Sequence, residues 1–121
     1  MSCPFHRAAI AAAAAASLLS GCGAGAGTNA SVERGRQLMA QYQCGSCHTI
    51  PGVPASRGQV GPSLASFGQR SYIAGRLTNR PDVLAQWIES PQALVPGTAM
   101  PDMGASPDDA RAMANYLSSL R

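Results

Sequence analysis

Cys44-Gly45-Ser46-Cys47-His48 is the stretch that organises the rest of the chain. It is a C-x-x-C-H pentapeptide, the attachment signature of c-type haem. Two thiols three residues apart near a helix terminus reach the two vinyl groups on one porphyrin edge, and the adjacent imidazole then lies under the iron. One pentapeptide thereby fixes a ring and supplies a ligand. A thioredoxin-like dithiol, a structural disulfide or half of a zinc site would draw on the same cysteines. The dithiol motif wants a βαβ setting that the flanking sequence lacks. Zinc wants four ligands, whereas the chain beyond its leader offers Cys44, Cys47 and His48 besides Cys22.

His6 lies in the leader, which leaves His48 as the single histidine of the remaining chain. Bis-histidine ligation within one chain is therefore excluded, and the sixth position falls to a Met, an exogenous molecule or nothing. Met39, Met100, Met103 and Met113 are the candidates. Met39 lies on the helix running into the pentapeptide and Met113 on the apolar stripe of the last helix, where packing is the ordinary role. Met100 and Met103 sit in a Pro-rich loop whose irregular backbone can aim a thioether at iron.

At 121 residues, 45% hydrophobic, 12% charged and 5% aromatic, the chain holds one small domain and no multidomain enzyme. Thirteen Gly, nine Pro and a long Ala run raise the apolar count without adding bulk, so the side chains alone build a thin core that something else must fill. Nine Arg against six acids, with no Lys, give a net charge of +3. That is far short of the basic stripe of a nucleic-acid binder, and no nucleic-acid partner is expected.

After Arg7, residues 8–19 are an unbroken run of Ala, Ile, Leu and one Ser, too short for a membrane span of about 20 residues. Residues 1–21 read as a secretory signal peptide. The run ends in Leu19-Ser20-Gly21-Cys22, which resembles a bacterial lipobox, so Cys22 is expected to become a lipid-modified N-terminus. Cleavage after Ala24-Gly25-Ala26 is the competing reading and would release a soluble periplasmic protein. Residues 22–30 carry no hydrophobic period and are expected to form a flexible tether, with the folded domain over 31–121.

Ser31 as N-cap, Glu33 in the first turn, and Val32, Leu38, Met39 and Tyr42 at helical spacing predict a first helix to Gln43. Gly35 inside it points to a close approach of a neighbouring backbone. Residues 50–61 are a loop, a short turn covers 62–67, and Tyr72, Ile73 and Leu77 lead to a helix over 81–89. That helix has Pro81 in its first turn and one face of Val83, Leu84, Trp87 and Ile88. Ser106-Pro107-Asp108-Asp109 caps a last helix faced by Ala110, Met113, Ala114 and Leu117. There is no repeat and no β alternation, so the expected architecture is all-α with long loops.

From residue 31 onward the chain resembles the class I monohaem c-type cytochromes. Residues 82–100, a helix followed by Pro91 and closing on Pro96-Gly97-Thr98-Ala99-Met100, are similar to the family's run whose Met is the axial ligand. The resemblance thus selects Met100 over Met103. It places Trp87 against the haem near the Met sulfur and Thr98 near the propionate edge. Gly61-Pro62 matches the family's Gly-Pro, whose Pro carbonyl accepts the proton of the proximal imidazole. Leu64 then packs on the haem face, Arg70 sits beside a propionate, and Gly35 with Tyr116 or Leu117 forms the crossing of the terminal helices. The fold so implied is a small helical sandwich of three to five helices around one covalent haem c.

The resemblance implies a one-electron carrier of a respiratory chain and not an enzyme, with His48 and Met100 on the iron. A haem enzyme or a gas- or peroxide-binding sensor with an open sixth position is the alternative. The chain departs from mitochondrial-type cytochromes in lacking any Lys. Its loop from His48 to Pro62 looks closer to cytochrome domains that work with bacterial respiratory oxidases. Expected partners are a terminal oxidase or a quinol-linked donor, and a membrane through the lipid anchor at Cys22, on the periplasmic side. Without the leader, eight Arg face six acids, so long-range steering of a partner is expected to be weak.

Overall fold

The computed structural model describes residues 24–121, so the stretch expected to be a signal peptide, residues 1–21, and Cys22 lie outside the described residues. Four α-helices carry the fold: α1 (Ala24–Gln41), α2 (Pro81–Glu89), α3 (Pro91–Leu94) and α4 (Pro107–Ser119). Single 3₁₀ turns lie at Cys44–Ser46 and Phe67–Gln69. Strands β1 (Tyr72–Ile73) and β2 (Leu77–Thr78) pair antiparallel, with Tyr72 opposite Thr78 and Ile73 opposite Leu77. The architecture is all-α apart from this short ladder.

Helix α4 lies at the centre and packs against both α1 and α2. Its buried face is Ala110, Ala112, Met113, Ala114, Tyr116 and Leu117, and the small residues in that set let neighbouring backbones come close. At Gly35 of α1 an added Cβ would overlap the carbonyl of Ala112 and press on Cβ of Tyr116. The close approach expected from Gly35 is therefore the crossing of the terminal helices, with Tyr116 as its partner. Tyr42 donates to Asp109 Oδ2 at 2.8 Å and Arg34 pairs with the other oxygen of that carboxylate, which ties the end of α1 to the start of α4.

Both later helices start where their caps predict. Ser106 Oγ accepts from Asp109 N at 3.2 Å, with Pro107 at N1 and two acids in the first turn. Helix α2 buries Leu84, Ala85, Trp87 and Ile88, and Pro91 opens α3 directly after it. Three expectations are corrected. The tether over 22–30 is helical from Ala24, and α1 ends at Gln41 rather than Gln43. Once the part of α1 that packs on α4 is formed, each further N-terminal residue adds one backbone hydrogen bond without a new nucleation cost, so the helix continues into a stretch with no apolar period. Tyr72, Ile73 and Leu77 form the small hairpin instead of a simple approach to α2, because the turn at residues 74–76 returns the chain on itself.

Candidate haem site

The three longer helices do not close on a filled core. Between them lies a cavity of about 520 Å³, within the range of roughly 300–1,000 Å³ typical of cofactor sites. Its wall includes buried side chains from every part of the fold: Met39 of α1, Leu64 and Ile73 from the intervening chain, Leu84 of α2, and Met113 and Leu117 of α4. All nine residues singled out as cofactor contacts border it: Cys44, Cys47, His48, Pro62, Leu64, Arg70, Trp87, Thr98 and Met100. Met39, Met103 and Met113 do so as well, so lining alone does not choose among the methionines.

The pentapeptide enters this wall as a 3₁₀ turn. Its backbone closes on itself through Cys47 N to Cys44 O at 3.2 Å and His48 N to Cys44 O at 3.0 Å, which brings both thiols and the imidazole to one side. Cys44 and Cys47 are half-buried free thiols. Burial pushes the Cys44 thiol above its ordinary value, the reverse of what a redox dithiol or a zinc thiolate needs. Among the described residues, no three His, Cys, Asp or Glu side chains converge on a point where a metal ion could sit. The donor set is one imidazole with two thiols beside it in the wall, which suits covalent attachment of a large apolar ring better than ligation of a bare cation.

The loop after the pentapeptide holds it in place. Ser56, buried, accepts from Ile50 N at 2.6 Å and donates to the carbonyl of His48 at 2.9 Å. Gly58 N reaches Gly45 O at 2.9 Å, Gly61 N reaches Cys47 O at 2.8 Å, and Leu64 N reaches Thr49 O at 2.8 Å. The chain thus returns three times onto the segment carrying the thiols. His48 Nδ1 lies 2.7 Å from the carbonyl of Pro62. A carbonyl can only accept, so Nδ1 carries the proton and the lone pair of Nε2 is left for a metal. At Gly61 a side chain would overlap the ring, since an added Cβ would collide with Cε1 of His48.

Arg70 lies over the Phe67 ring, 5.1 Å from its centroid, and donates to the carbonyls of Ser63 and Ala65, the latter at 3.3 Å. Among the described residues it is the one Lys, Arg, Asp or Glu bordering the cavity. A guanidinium fixed in this way suits a carboxylate of a bound group. Elsewhere in the wall, the main-chain N–H of Met100 donates to Thr98 Oγ1 at 3.4 Å, and Met100 itself is half-buried. Trp87 is buried on α2 and also borders the cavity. Ser56 is the functional contact that the sequence did not disclose: a serine in a polar loop carries no signal of its own.

Residues 32–121 match the cytochrome c family. The chain is 37% identical over 97 residues, 78% of its length, to cytochrome c oxidase subunit 2 of Alkalihalophilus pseudofirmus. It is 30% identical over 94 residues, 74% of its length, to cytochrome c oxidase subunit 2 of Bacillus subtilis. These stretches amount to 27% and 26% of those subunits, so the chain spans about a quarter of the length of the relatives it matches. No solved structure gives a significant match. The family match runs from the first turns of α1 to the last residue and takes in the pentapeptide, the cavity and the helices that frame it. The chain therefore belongs to the cytochrome c family, whose members carry covalently bound haem c and work in electron transfer.

Proposed function

We propose that this chain is a one-electron carrier of a respiratory chain, holding one haem c through Cys44 and Cys47 with His48 and Met100 as axial ligands. Bound there, the haem supplies a ferric/ferrous couple whose potential is raised by a thioether ligand and apolar burial. The chain's own part is positioning. The Pro62 carbonyl fixes the tautomer and the angle of His48, and Gly61 leaves room for the ring. The buried side chains of Leu64 and Trp87 keep water from the cavity wall, and Arg70 offers its charge to a carboxylate. The observation that carries the reading is the Nδ1 contact of His48 to Pro62 across a cavity that Met100 also borders.

The decisive experiment is the near-infrared thioether-to-iron absorption band of the ferric protein, matured in an export-competent host. The wild type is expected to show it and Met100→Ala to lose it. A Met100→Ala protein that keeps the band would transfer the role to Met103, and a wild type without it would point to the open sixth position of a sensor or enzyme.

The names of these relatives, cytochrome c oxidase subunits 2, support a terminal oxidase as electron acceptor; the donor in this reading is a quinol-linked complex. The large hydrophobic side chains exposed among the described residues are Val60 (86%), Tyr72 (60%) and Met103 (43%), and all three stand on the rim of the haem cavity. A rim of this kind suits an apolar, uncharged patch on the partner. No helix of the described residues is long and apolar enough to cross a membrane. Lipid modification of Cys22 would hold the domain at the periplasmic face and raise its concentration near a membrane partner. The mass of the mature N-terminus tests this, since an unmodified N-terminus beyond Cys22 contradicts it.

A further inference from the structure

We propose that Gln92 is the positioning residue for the Met100 sulfur. The inference rests on Met100 being the iron ligand and adds what keeps it there. Val95-Pro96-Gly97-Thr98 is a β-turn closed by Thr98 N to Val95 O at 3.1 Å. Pro96 occupies its second position and Gly97 its third, at φ +81°, the left-handed backbone a type II turn demands there. Such a turn leaves the N–H of Gly97 and the carbonyl of Thr98 outside its own hydrogen bond.

A single carboxamide takes both. Gln92 Nε2 donates to Thr98 O at 2.6 Å, and Gln92 Oε1 accepts from Gly97 N at 3.1 Å. Gln92 stands on α3, which follows α2 with only Ser90 between them. The pair of bonds therefore fastens the turn to a helical corner anchored by Pro91, one of the most deeply buried side chains in the protein. Thr98, held by its carbonyl, offers its hydroxyl to the main-chain N–H of Met100 at 3.4 Å. From Gln92 to Met100 there is thus a path of two hydrogen bonds through Thr98, braced by the third to Gly97.

Beyond Met100 the hydrogen bonding is sparse. Over residues 101–105 the structure records one hydrogen bond, Gly104 N to Asp102 Oδ1 at 2.8 Å, which is local to that loop, before buried Ala105 and the Ser106 cap lead into α4. Besides the packing of Met100 on the core, the Gln92 clamp is thus the hydrogen-bonded restraint nearest the thioether. Loss of these two hydrogen bonds, partly replaced by water on the exposed side, is expected to shift the equilibrium between bound and displaced sulfur roughly tenfold.

Imidazole is the probe, because it occupies the ferric iron only when the sulfur has left. The near-infrared band of wild type and Met100→Ala is recorded first. A band absent from wild type, or kept in Met100→Ala, overturns the ligand assignment and with it this inference. With the assignment standing, Gln92→Met is expected to keep the band yet bind imidazole roughly tenfold more tightly than wild type. Gln92→Asn, too short by one methylene to span both groups, is expected to do the same. Gln86→Met, a matched change at an exposed position of α2, is expected to match wild type. A thermal midpoint that falls in the Gln92 variants while imidazole affinity stays within twofold of wild type would assign Gln92 to plain fold stability and overturn the proposal.

Discussion

His48 has one orientation because three neighbours leave it no other. Pro62 accepts at Nδ1, Ser56 holds its carbonyl, and Gly61 presents bare backbone to the ring. Gly61→Ala puts a methyl group where Cε1 lies, and the imidazole or the loop must move. Overpacking of this kind costs about 1–3 kcal/mol, which in a domain of this size lowers the thermal midpoint by roughly 5–20 °C. We expect the Gly61→Ala protein to mature with a lower haem yield and to melt lower than wild type; equal yield and midpoint would show that the ring tolerates displacement. The sequence discloses the residues of this site unevenly. Cys44, Cys47 and His48 are legible because their chemistry is contained in five consecutive positions. Pro62, Trp87 and Met100 are legible through resemblance, since each borders the cavity from another part of the chain. Ser56 and Gln92 are legible in neither way: their importance depends on a loop and a turn returning to meet them, and no local pattern records that return.

Helix boundaries follow the same division. Helices α2 and α4 begin where Pro81 and the Ser106-Pro107 cap require, because capping is decided within four residues. The start of α1 escapes such reading, since nothing in residues 24–30 distinguishes a solvated helix from a coil. The hairpin also escapes, because two-residue strands are too short to alternate. Gly35 is the case where a local oddity reports a distant contact: a residue unfavourable in a helix is kept where α4 leaves no space for a side chain. Gly35→Ala gains up to about 1 kcal/mol in helix propensity and meets a backbone carbonyl that cannot rotate away. The packing loss outweighs the gain, so chemical denaturation of the holoprotein is expected to give a stability lower by about 1–2 kcal/mol with an unchanged m-value. A stabilised Gly35→Ala protein would mean that the terminal helices separate without cost.

At the scale of the whole molecule, a chain too poor in bulky side chains to fill its own centre folds around a cavity of about 520 Å³. The same economy appears on the surface. Arg34, Arg36, Arg80 and Arg111 each pair with an acid, and the overall charge is small. Around the cavity mouth stand Val60, Tyr72 and Met103, with Arg70 turned onto backbone carbonyls. An association driven by charge weakens steeply as the screening length falls from about 30 Å at 0.01 M salt to about 8 Å at 0.15 M, whereas burial of apolar rim does not. Electron transfer from this protein to a membrane oxidase is therefore expected to change by less than about threefold over that salt range. Val60→Glu places an unpaired carboxylate in the same contact, where desolvating it is costly, and is expected to slow the reaction several-fold while leaving the thioether band intact. A rate that collapses with salt in the wild type, or one indifferent to Val60→Glu, would move the docking face away from this rim and toward the arginines of the helical surface.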